Sequence, residues 1–270
     1  MILSITLPRL RQGAATTLLS MVACAAMAAE PTPAAMAAEP TPAAMAAEPT
    51  PAKTTVADPL EKYNRKVYAF NAALDKAVVK PLAQGYVAVI PRPIRIGVGN
   101  LVGHLAYPNT ILNNLLQGKL AEGGRDVLRF TLNSVVGIGG LLDPATQLGL
   151  LKNDEDFGQT LGKWGVPSGP YLMLPLMGTS TLRDAPTLWV DSRTDLRVYL
   201  NDEETRRTLI ALRILDTRVG IFPADVALGQ AFDGYAFVRD AYLQRREYKV
   251  RDGNVPAQEE EPLDDPAISP

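Results

Sequence analysis

FGQTLGKWGVPSGPYLMLPLMGTSTLRD, residues 157–184, mixes glycines, prolines and apolar side chains in a pattern that is typical of neither a helix nor an ordinary strand. The glycines and prolines require the backbone to turn repeatedly. The part around Pro175, from Pro170 to Met177, is nevertheless strongly apolar, which is unusual for a loop in water. We therefore expect this segment to lie in a core, against a partner protein or in lipid.

Two further ordered blocks accompany this segment. DPLEKYNRKVYAFN runs from Asp58 to Asn71, and the glycine-rich NSVVGIGGLLD runs from Asn133 to Asp143. Together with FGxTLGxWGV, GPYxxLP and TLRD within residues 157–184, they resemble the MlaA (VacJ) family of outer-membrane lipoproteins that move phospholipids. The resemblance extends from about Asp58 to Arg251, and long blocks in the same order are far more specific than any short motif.

The resemblance implies an all-α fold: a single domain of several amphipathic helices that surround a lipid channel. It implies a seat in the inner leaflet of the outer membrane, facing the periplasm. It also implies phospholipid as the cargo, and an outer-membrane porin and a soluble periplasmic lipid-carrier protein as partners. From the motifs, no cofactor and no enzymatic activity are predicted.

Residues 1–23 are typical of a lipoprotein signal peptide, because Arg9 and Arg11 precede an apolar run, Gly13–Ala23, that is too short to span a bilayer. Cys24, the only cysteine, follows directly and is predicted to be the acylated anchor, although the usual Leu three residues earlier is replaced by Met. The alternative is cleavage further along by an ordinary signal peptidase, which would discard the cysteine.

The chain divides into a tether, a domain and a tail. Residues 25–51 are three copies of AAMAAEPTP, whose prolines stop any helix from continuing between copies, so residues 24–57 are predicted to be a disordered tether. Residues 58–252 form the predicted helical domain. Residues 253–270 combine acidic residues with prolines and are predicted to be a disordered acidic tail.

Within the domain the apolar periodicity is helical. Asp58, Pro59 and Glu61 suit the start of a first helix, and Pro81 is predicted to end it. Further helices are predicted after the proline-broken link at residues 91–93, through Ile111–Gly118, Arg125–Val136, Pro186–Leu200, Asp202–Val219 and Asp225–Arg251. No run alternates clearly enough to predict a sheet.

Motifs for catalysis and for cofactors are weak. GxGxxxG at residues 97–103 is one residue too long for a dinucleotide fingerprint. His104, the only histidine, is predicted to be a polar loop residue, and Ser180 lacks the second glycine of a nucleophile elbow; with Thr181 it is expected to cap the next helix. The net charge of −2 gives no basic excess for nucleic acid, and no metal site is predicted.

Two charged clusters are interpreted as surface features. The acidic run Asp154–Asp156 does not have the spacing of a calcium loop and is interpreted as a solvated turn. A basic cluster, Arg245, Arg246, Lys249 and Arg251, is interpreted as a charged face at the end of the last helix. A contact with acidic lipid headgroups or with an acidic partner is the alternative.

The glycine-rich block around VVGIGGLL has two interpretations. Its glycines either allow close helix packing or a helix cap, or they line a narrow passage for a lipid. The resemblance favours the passage. The candidates for the lipid path are Phe70, Asn71, Gly137, Gly139, Gly140, Leu141, Tyr171, Leu174 and Pro175.

The function predicted from these features is non-enzymatic transport of phospholipid from the outer leaflet of the outer membrane to a periplasmic carrier. The alternative is a structural lipoprotein that holds other envelope proteins together. A lipid-cleaving enzyme is disfavoured, because no nucleophile and base are paired in a recognisable motif.

Overall fold

Apolar residues recur at helical spacing from Leu60 through Val67 to Leu74, and helix α1 runs from Glu61 to Leu74. The structure, a computed structural model, describes residues 58–254. The predicted signal peptide, Cys24, the repeat tether and the tail beyond Asn254 lie outside the described residues. Asp58 stands ahead of α1 as predicted, and its Oδ1 accepts a hydrogen bond from the backbone N–H of Leu60 at 3.2 Å.

The prediction that Pro81 ends the first helix is wrong. A π-helical segment, Asp75–Val79, follows α1 directly and leads into α2, Lys80–Val89. The wide turn accommodates the proline, because the N–H of Lys80 bonds five residues back to the carbonyl of Asp75 and Pro81 occupies the first turn of α2. The helical run ends instead before Pro91, since a residue that precedes proline avoids the helical conformation.

Two long antiparallel helices form the centre of the domain. α3, Arg92–Leu116, contains the predicted helix near Ile111 but begins directly after Pro91, so the proline-broken link is shorter than predicted. α4, Leu120–Val135, returns after a turn at Gly118, whose φ of 77° suits glycine. The glycine-rich block follows α4 and leads to the short α5, Pro144–Gln147.

A β-hairpin interrupts the helical architecture. After α6, Phe157–Lys163, strands β1, Tyr171–Leu174, and β2, Gly178–Thr181, pair antiparallel with Tyr171 opposite Thr181. The sequence analysis predicted no sheet, and this hairpin corrects that prediction. The all-α class is confirmed for the rest of the described residues. Tyr171 is buried and Leu176 at the tip is exposed, so the apolar segment contributes both to a core and to the surface.

The C-terminal third is helical, with more breaks than predicted. The predicted helix Pro186–Leu200 is α7, Asp184–Thr194, followed by a 3₁₀ turn, Leu196–Tyr199. The long helix predicted to begin at Asp225 is divided into α9, Ala224–Gln230, and α10, Gly234–Val250. α8, Glu203–Gly220, agrees with its prediction, and the side chain of Asp202 caps it by accepting from Thr205 N at 2.9 Å.

The interior of the domain is unusually polar. The fully buried side chains include asparagine, glutamine, threonine and aspartate, whereas large apolar side chains are exposed over much of the surface, including Val135, Leu176, Met177, Trp189 and Phe232. So many buried polar side chains are unusual, since asparagine, glutamine and aspartate are mostly exposed in soluble domains. Among residues 58–254, none of the helices has the length and apolar character needed to cross a membrane.

Candidate functional site

The candidate site is a cleft along one face of α3, where two glycines and an alanine lie among larger side chains such as Val102 and Tyr107. Gly99, Gly103 and Ala106 follow one another at helical spacing and therefore share that face. The cleft has a volume of about 220 Å³ and is closed by α8 and by the segment 152–154. A smaller pocket of about 50 Å³ adjoins it and shares Gly99, Gly103 and Lys152.

The two glycines allow charged groups to approach the axis of α3. A Cβ added at Gly99 would lie 2.9 Å from Oδ2 of Asp216 on α8. A Cβ added at Gly103 would lie 3.3 Å from Nζ of Lys152. The GxGxxxG pattern therefore lies within a helix and is not a nucleotide-binding loop, in agreement with the prediction. Its glycines leave places on the helix face without side chains, which the carboxylate of Asp216 and the ammonium of Lys152 approach closely.

The charged groups of Asp216 and Lys152 have no direct partner among the described residues. Within residues 58–254 neither side chain has a hydrogen bond or an ion pair, although Arg95 and then Lys152 attract the Asp216 carboxylate at longer range. Burial raises the pKa of the Asp216 carboxyl, and these two cations oppose the rise. Lys152 is exposed to water, but Asp216 is half-buried, and a partly desolvated carboxylate without a partner is costly, so a ligand cation would be stabilised at Asp216.

Arg213 adds a second cation to the same wall of the cleft. It lies on α8 one turn before Asp216 and makes an ion pair of 3.5 Å with Asp195. Burial, followed by the nearby charge of Arg197, lowers the pKa of the Arg213 guanidinium. An arginine keeps its charge even when its pKa falls, so the cleft retains two cations, Lys152 and Arg213, beside Asp216.

The base of the cleft is fixed by a buried carboxylate. Asp126 of α4 accepts hydrogen bonds from the hydroxyl of Tyr107 at 2.6 Å, from Nδ2 of Asn114 at 2.6 Å and from Nδ2 of Asn153 at 3.0 Å. Burial and the bond to Asp126 raise the pKa of the Tyr107 hydroxyl, which stays protonated. Because Asn153 is held in this way, the neighbouring Lys152 is kept beside α3.

His104 lines the smaller pocket, and the prediction that it is a loop residue is wrong. This residue lies in the middle of α3 rather than in a loop, stacks on Phe130 with 4.4 Å between ring centroids, and pairs through Nε2 with Oγ of Ser134 at 3.0 Å. Burial and then the charge of Arg129 lower the pKa of His104, while Asp143 opposes them. A half-buried neutral histidine that packs against a phenyl ring has a structural role here.

The glycine-rich block is a helix terminus that packs on α3. The N–H groups of Gly139 and Gly140 bond back to the carbonyls of Ser134 and Asn133, at 2.9 and 2.8 Å. A Cβ at Gly140 would lie 2.3 Å from Cγ of His104, whereas a Cβ at Gly139 would meet nothing within 4 Å. Helix capping and close packing therefore describe the geometry of Gly140, while Gly139 faces open space.

The predicted lipid-path residues fall into two groups. Gly137, Gly139, Gly140 and Leu141 belong to the glycine-rich block, in which Gly140 and Leu141 lie against α3, Gly140 lines the smaller pocket and Leu141 is buried. The other group surrounds the hairpin and comprises Phe70, Asn71, Tyr171, Leu174 and Pro175. In that group Tyr171 is buried and Phe70 is exposed, and Asn71 Nδ2 donates to the carbonyl of Leu174 at 2.9 Å.

Lys152, Arg213 and Asp216 were missed by the sequence analysis. Lys152 lies far from the other two in sequence, and their residue types are ordinary for a helical surface. The one local signal was the four-residue spacing of Gly99 and Gly103, which indicates a helix face that something approaches closely.

The interpretation of residues 154–156 as a solvated turn is wrong. Asp156 accepts from Nη1 of Arg246 at 2.6 Å and caps α6 through a bond from Gln159 N at 2.8 Å. Asp184 also binds Arg246, at 2.8 Å, and Lys249 pairs with Asp154. Much of the basic cluster on α10 is thus the internal counterpart of the acidic run. Among residues 58–254 no group of acidic, His or Cys side chains is arranged to hold a metal ion.

Known proteins share both the sequence and the fold. A family model described as MlaA lipoprotein matches residues 56–249. The Escherichia coli K12 protein called intermembrane phospholipid transport system lipoprotein MlaA is 36% identical over 207 residues, which are 75% of this chain and 82% of that protein. The Haemophilus influenzae protein of the same name is 31% identical over 223 residues, 77% of this chain and 85% of its own.

A solved structure gives the same result. It comes from work described as the structural basis for maintenance of bacterial outer membrane lipid asymmetry, and it matches with a TM-score of 0.65 at 33% identity. The match covers 72% of this chain and 99% of the solved chain. Since the family model and these relatives cover most of its length, this chain belongs to the MlaA lipoprotein family.

Proposed function

We propose that the protein carries phospholipids between membranes without converting them, and so maintains the lipid asymmetry of the outer membrane. In this proposal it removes misplaced phospholipid from the outer leaflet and passes it to a soluble periplasmic lipid carrier. The names of the relatives support transport of phospholipid. The observation that carries the proposal for this chain is the charged cleft on α3 set among exposed apolar side chains.

A phospholipid needs both kinds of surface. Its headgroup requires polar and charged partners, which Lys152, Arg213 and Asp216 offer. Its acyl chains require apolar surface, and Leu151 and Ile214, each next in sequence to a charged residue of the cleft, are exposed. Burial of this apolar surface against chains would contribute roughly 25 cal/mol per Å².

Placement in the inner leaflet, facing the periplasm, is part of the same proposal. A helix or hairpin that lies in one leaflet turns apolar side chains toward the acyl region and polar groups toward water. The hairpin tip supports this placement, because Leu176 and Met177 are 73% and 72% exposed. Acylated Cys24 would supply the second membrane signal, since one buried segment alone gives reversible attachment.

The lipid path is proposed to include Gly139 and the smaller pocket at Gly140, in addition to the cleft. Gly139 is flanked by Ile138, and Val135 and Val136 precede it; all three apolar side chains are exposed. This bare backbone among apolar groups is suited to a passing acyl chain. The hairpin group, Phe70 with its neighbours, is proposed as a second border of the path.

A scaffold function is the competing proposal, since exposed apolar surface also suits contacts with a porin. The two are separated by mass spectrometry of lipids that remain with detergent-purified, full-length protein. Transport predicts bound phospholipid, and Gly103→Leu, which fills the cleft, should reduce it several-fold. Gly85→Leu is the matched control, because Gly85 lies in α2 with nothing within 4 Å of an added Cβ. Purified protein without phospholipid would favour the scaffold.

A further inference from the structure

The unpaired charges of the cleft have opposite signs and lie against the same face of α3. Lys152 rests on Gly103 and Asp216 rests on Gly99, and these two glycines are one helical turn apart on the same face of α3. Positions four residues apart on a helix are about 5–6 Å from each other. The cleft therefore presents a cation and an anion beside neighbouring turns of the same helix face, and the described residues leave both without a direct partner.

We propose that this cleft selects phospholipids whose headgroup is a zwitterion with a primary ammonium, of the phosphoethanolamine type. Lys152, assisted by Arg213, binds the phosphate, and Asp216 accepts hydrogen bonds from the ammonium. This inference rests on the proposed transport function and names the headgroup that the same site prefers.

The size of the cleft agrees with a headgroup rather than a whole lipid. Pockets that enclose drug-sized ligands measure roughly 300–1,000 Å³, and this cleft holds about 220 Å³. Its mouth is bordered by exposed residues, among them Lys152, Arg213 and Thr217. The headgroup therefore enters the cleft while the acyl chains remain outside it.

Asp216 is the residue that discriminates between headgroups. A phosphoglycerol headgroup brings a phosphate for Lys152 but only hydroxyls for Asp216, so the carboxylate keeps an uncompensated charge. A choline headgroup brings a positive charge without N–H donors. Only a primary ammonium offers both a positive charge and hydrogen bonds to the carboxylate, and charge-assisted bonds are the strong ones.

The test uses full-length protein incubated with vesicles of equal parts phosphatidylethanolamine, phosphatidylglycerol and phosphatidylcholine, followed by repurification and mass spectrometry of the bound lipid. Wild-type protein should be enriched in phosphatidylethanolamine by on the order of tenfold. Asp216→Asn should bind a similar total but lose the enrichment. Lys152→Gln should bind less of all three, since all carry phosphate.

Glu204→Gln is the matched control, because Glu204 is an exposed acid on α8 that does not line the cleft. Wild-type protein that binds the three lipids in their supplied ratio overturns the inference but leaves transport standing, as does enrichment that survives in Asp216→Asn. Protein that binds none of the lipids refutes the proposed function itself. If Asp216→Asn fails to fold, the ratio of the three lipids bound to wild-type protein still shows whether the cleft prefers phosphatidylethanolamine.

Discussion

Asn64 of α1 binds the backbone of β1 on both sides of Leu172, through the carbonyl of Tyr171 and the N–H of Met173. Its Nδ2 donates to the first at 3.0 Å, and its Oδ1 accepts from the second at 2.8 Å. Two helical turns later Asn71 repeats the arrangement with the carbonyl of Leu174 and the N–H of Leu176, both at 2.9 Å. The edge of the hairpin is thus paired with two asparagine side chains in place of a third strand.

Removal of Asn64 should destabilise the domain strongly. Asn64 is fully buried, so Asn64→Ala leaves a backbone carbonyl and an N–H without partners or water, at a cost of about 2–5 kcal/mol. Asn71→Ala removes the same kind of bonds at a site that water reaches, so we expect the free energy of unfolding to fall by only about 1 kcal/mol. Urea unfolding followed by circular dichroism measures both; equal losses would contradict the role of burial.

Much of the helical fold was predictable, because helix periodicity is local. Leu60, Val67 and Leu74 mark α1 by their spacing alone, and Asp202 marks the start of α8 by its capping chemistry. The break at residues 231–233 was not predictable from the same pattern, since apolar residues continue at helical spacing on both sides of it.

The hairpin and the cleft were not predictable from local patterns. The alternation in β1 is only four residues long, and its edge is satisfied by Asn64, more than a hundred residues earlier in the chain. Lys152 and Asp216 likewise approach α3 closely only because the helix has no side chains at Gly99 and Gly103. Local sequence contains the glycine spacing but not the identity of the groups that approach it.

Arg246 should be essential for stability. It binds Asp156 and Asp184, and the side chain of Asp184 is almost fully buried. Arg246→Met leaves two carboxylates without their common cation, which should cost about 3 kcal/mol or more. The control is Arg207→Met, which breaks an exposed pair with Glu203 and should change the free energy of unfolding by less than about 0.5 kcal/mol.

The same cluster should make the domain sensitive to acid. Burial alone would raise the pKa of Asp156 and of Asp184, but bonds to Arg246, and for Asp184 also to Arg183, hold both below the ordinary value of 3.8. Their contribution is therefore present above about pH 4 and is lost as the pH falls further, because the unfolded chain binds protons first. Urea midpoints at pH 7, 4 and 3 should fall less steeply for Arg246→Met than for wild type. Equal dependence of the urea midpoint on pH in wild type and Arg246→Met would contradict a role of this cluster in acid sensitivity.

Cys24 provides a test of the predicted anchor. Cys24→Ser cannot form the thioether to a diacylglyceryl group, so labelling by a fatty-acid probe should disappear and the protein should leave the membrane fraction. Equal labelling of wild type and variant would exclude Cys24 as the acylation site. Wild-type protein without label would favour cleavage after the cysteine.

Substitutions at Gly140 and Gly139 distinguish a role in helix packing from a role in the lipid path. Gly140 has a φ of 91°, and an added Cβ would collide with the His104 ring, so Gly140→Ala should destabilise the domain by more than the ~1 kcal/mol of the backbone term alone. Gly139 has a φ of 66° but open space around it. Gly139→Leu should therefore fold at a cost of about 1 kcal/mol and present an apolar side chain where the lipid path is proposed.

The decisive comparison is Gly139→Leu with Gly139→Asn, because asparagine tolerates the left-handed conformation and adds a shorter, polar side chain. Thermal stability and cellular abundance are measured beside the amount of phospholipid in the outer leaflet. If Gly139 borders the path, the leucine variant should accumulate surface phospholipid at normal abundance, and the asparagine variant should accumulate less. A stable leucine variant with wild-type surface phospholipid would remove Gly139 from the path and leave the block as a helix terminus that supports α3.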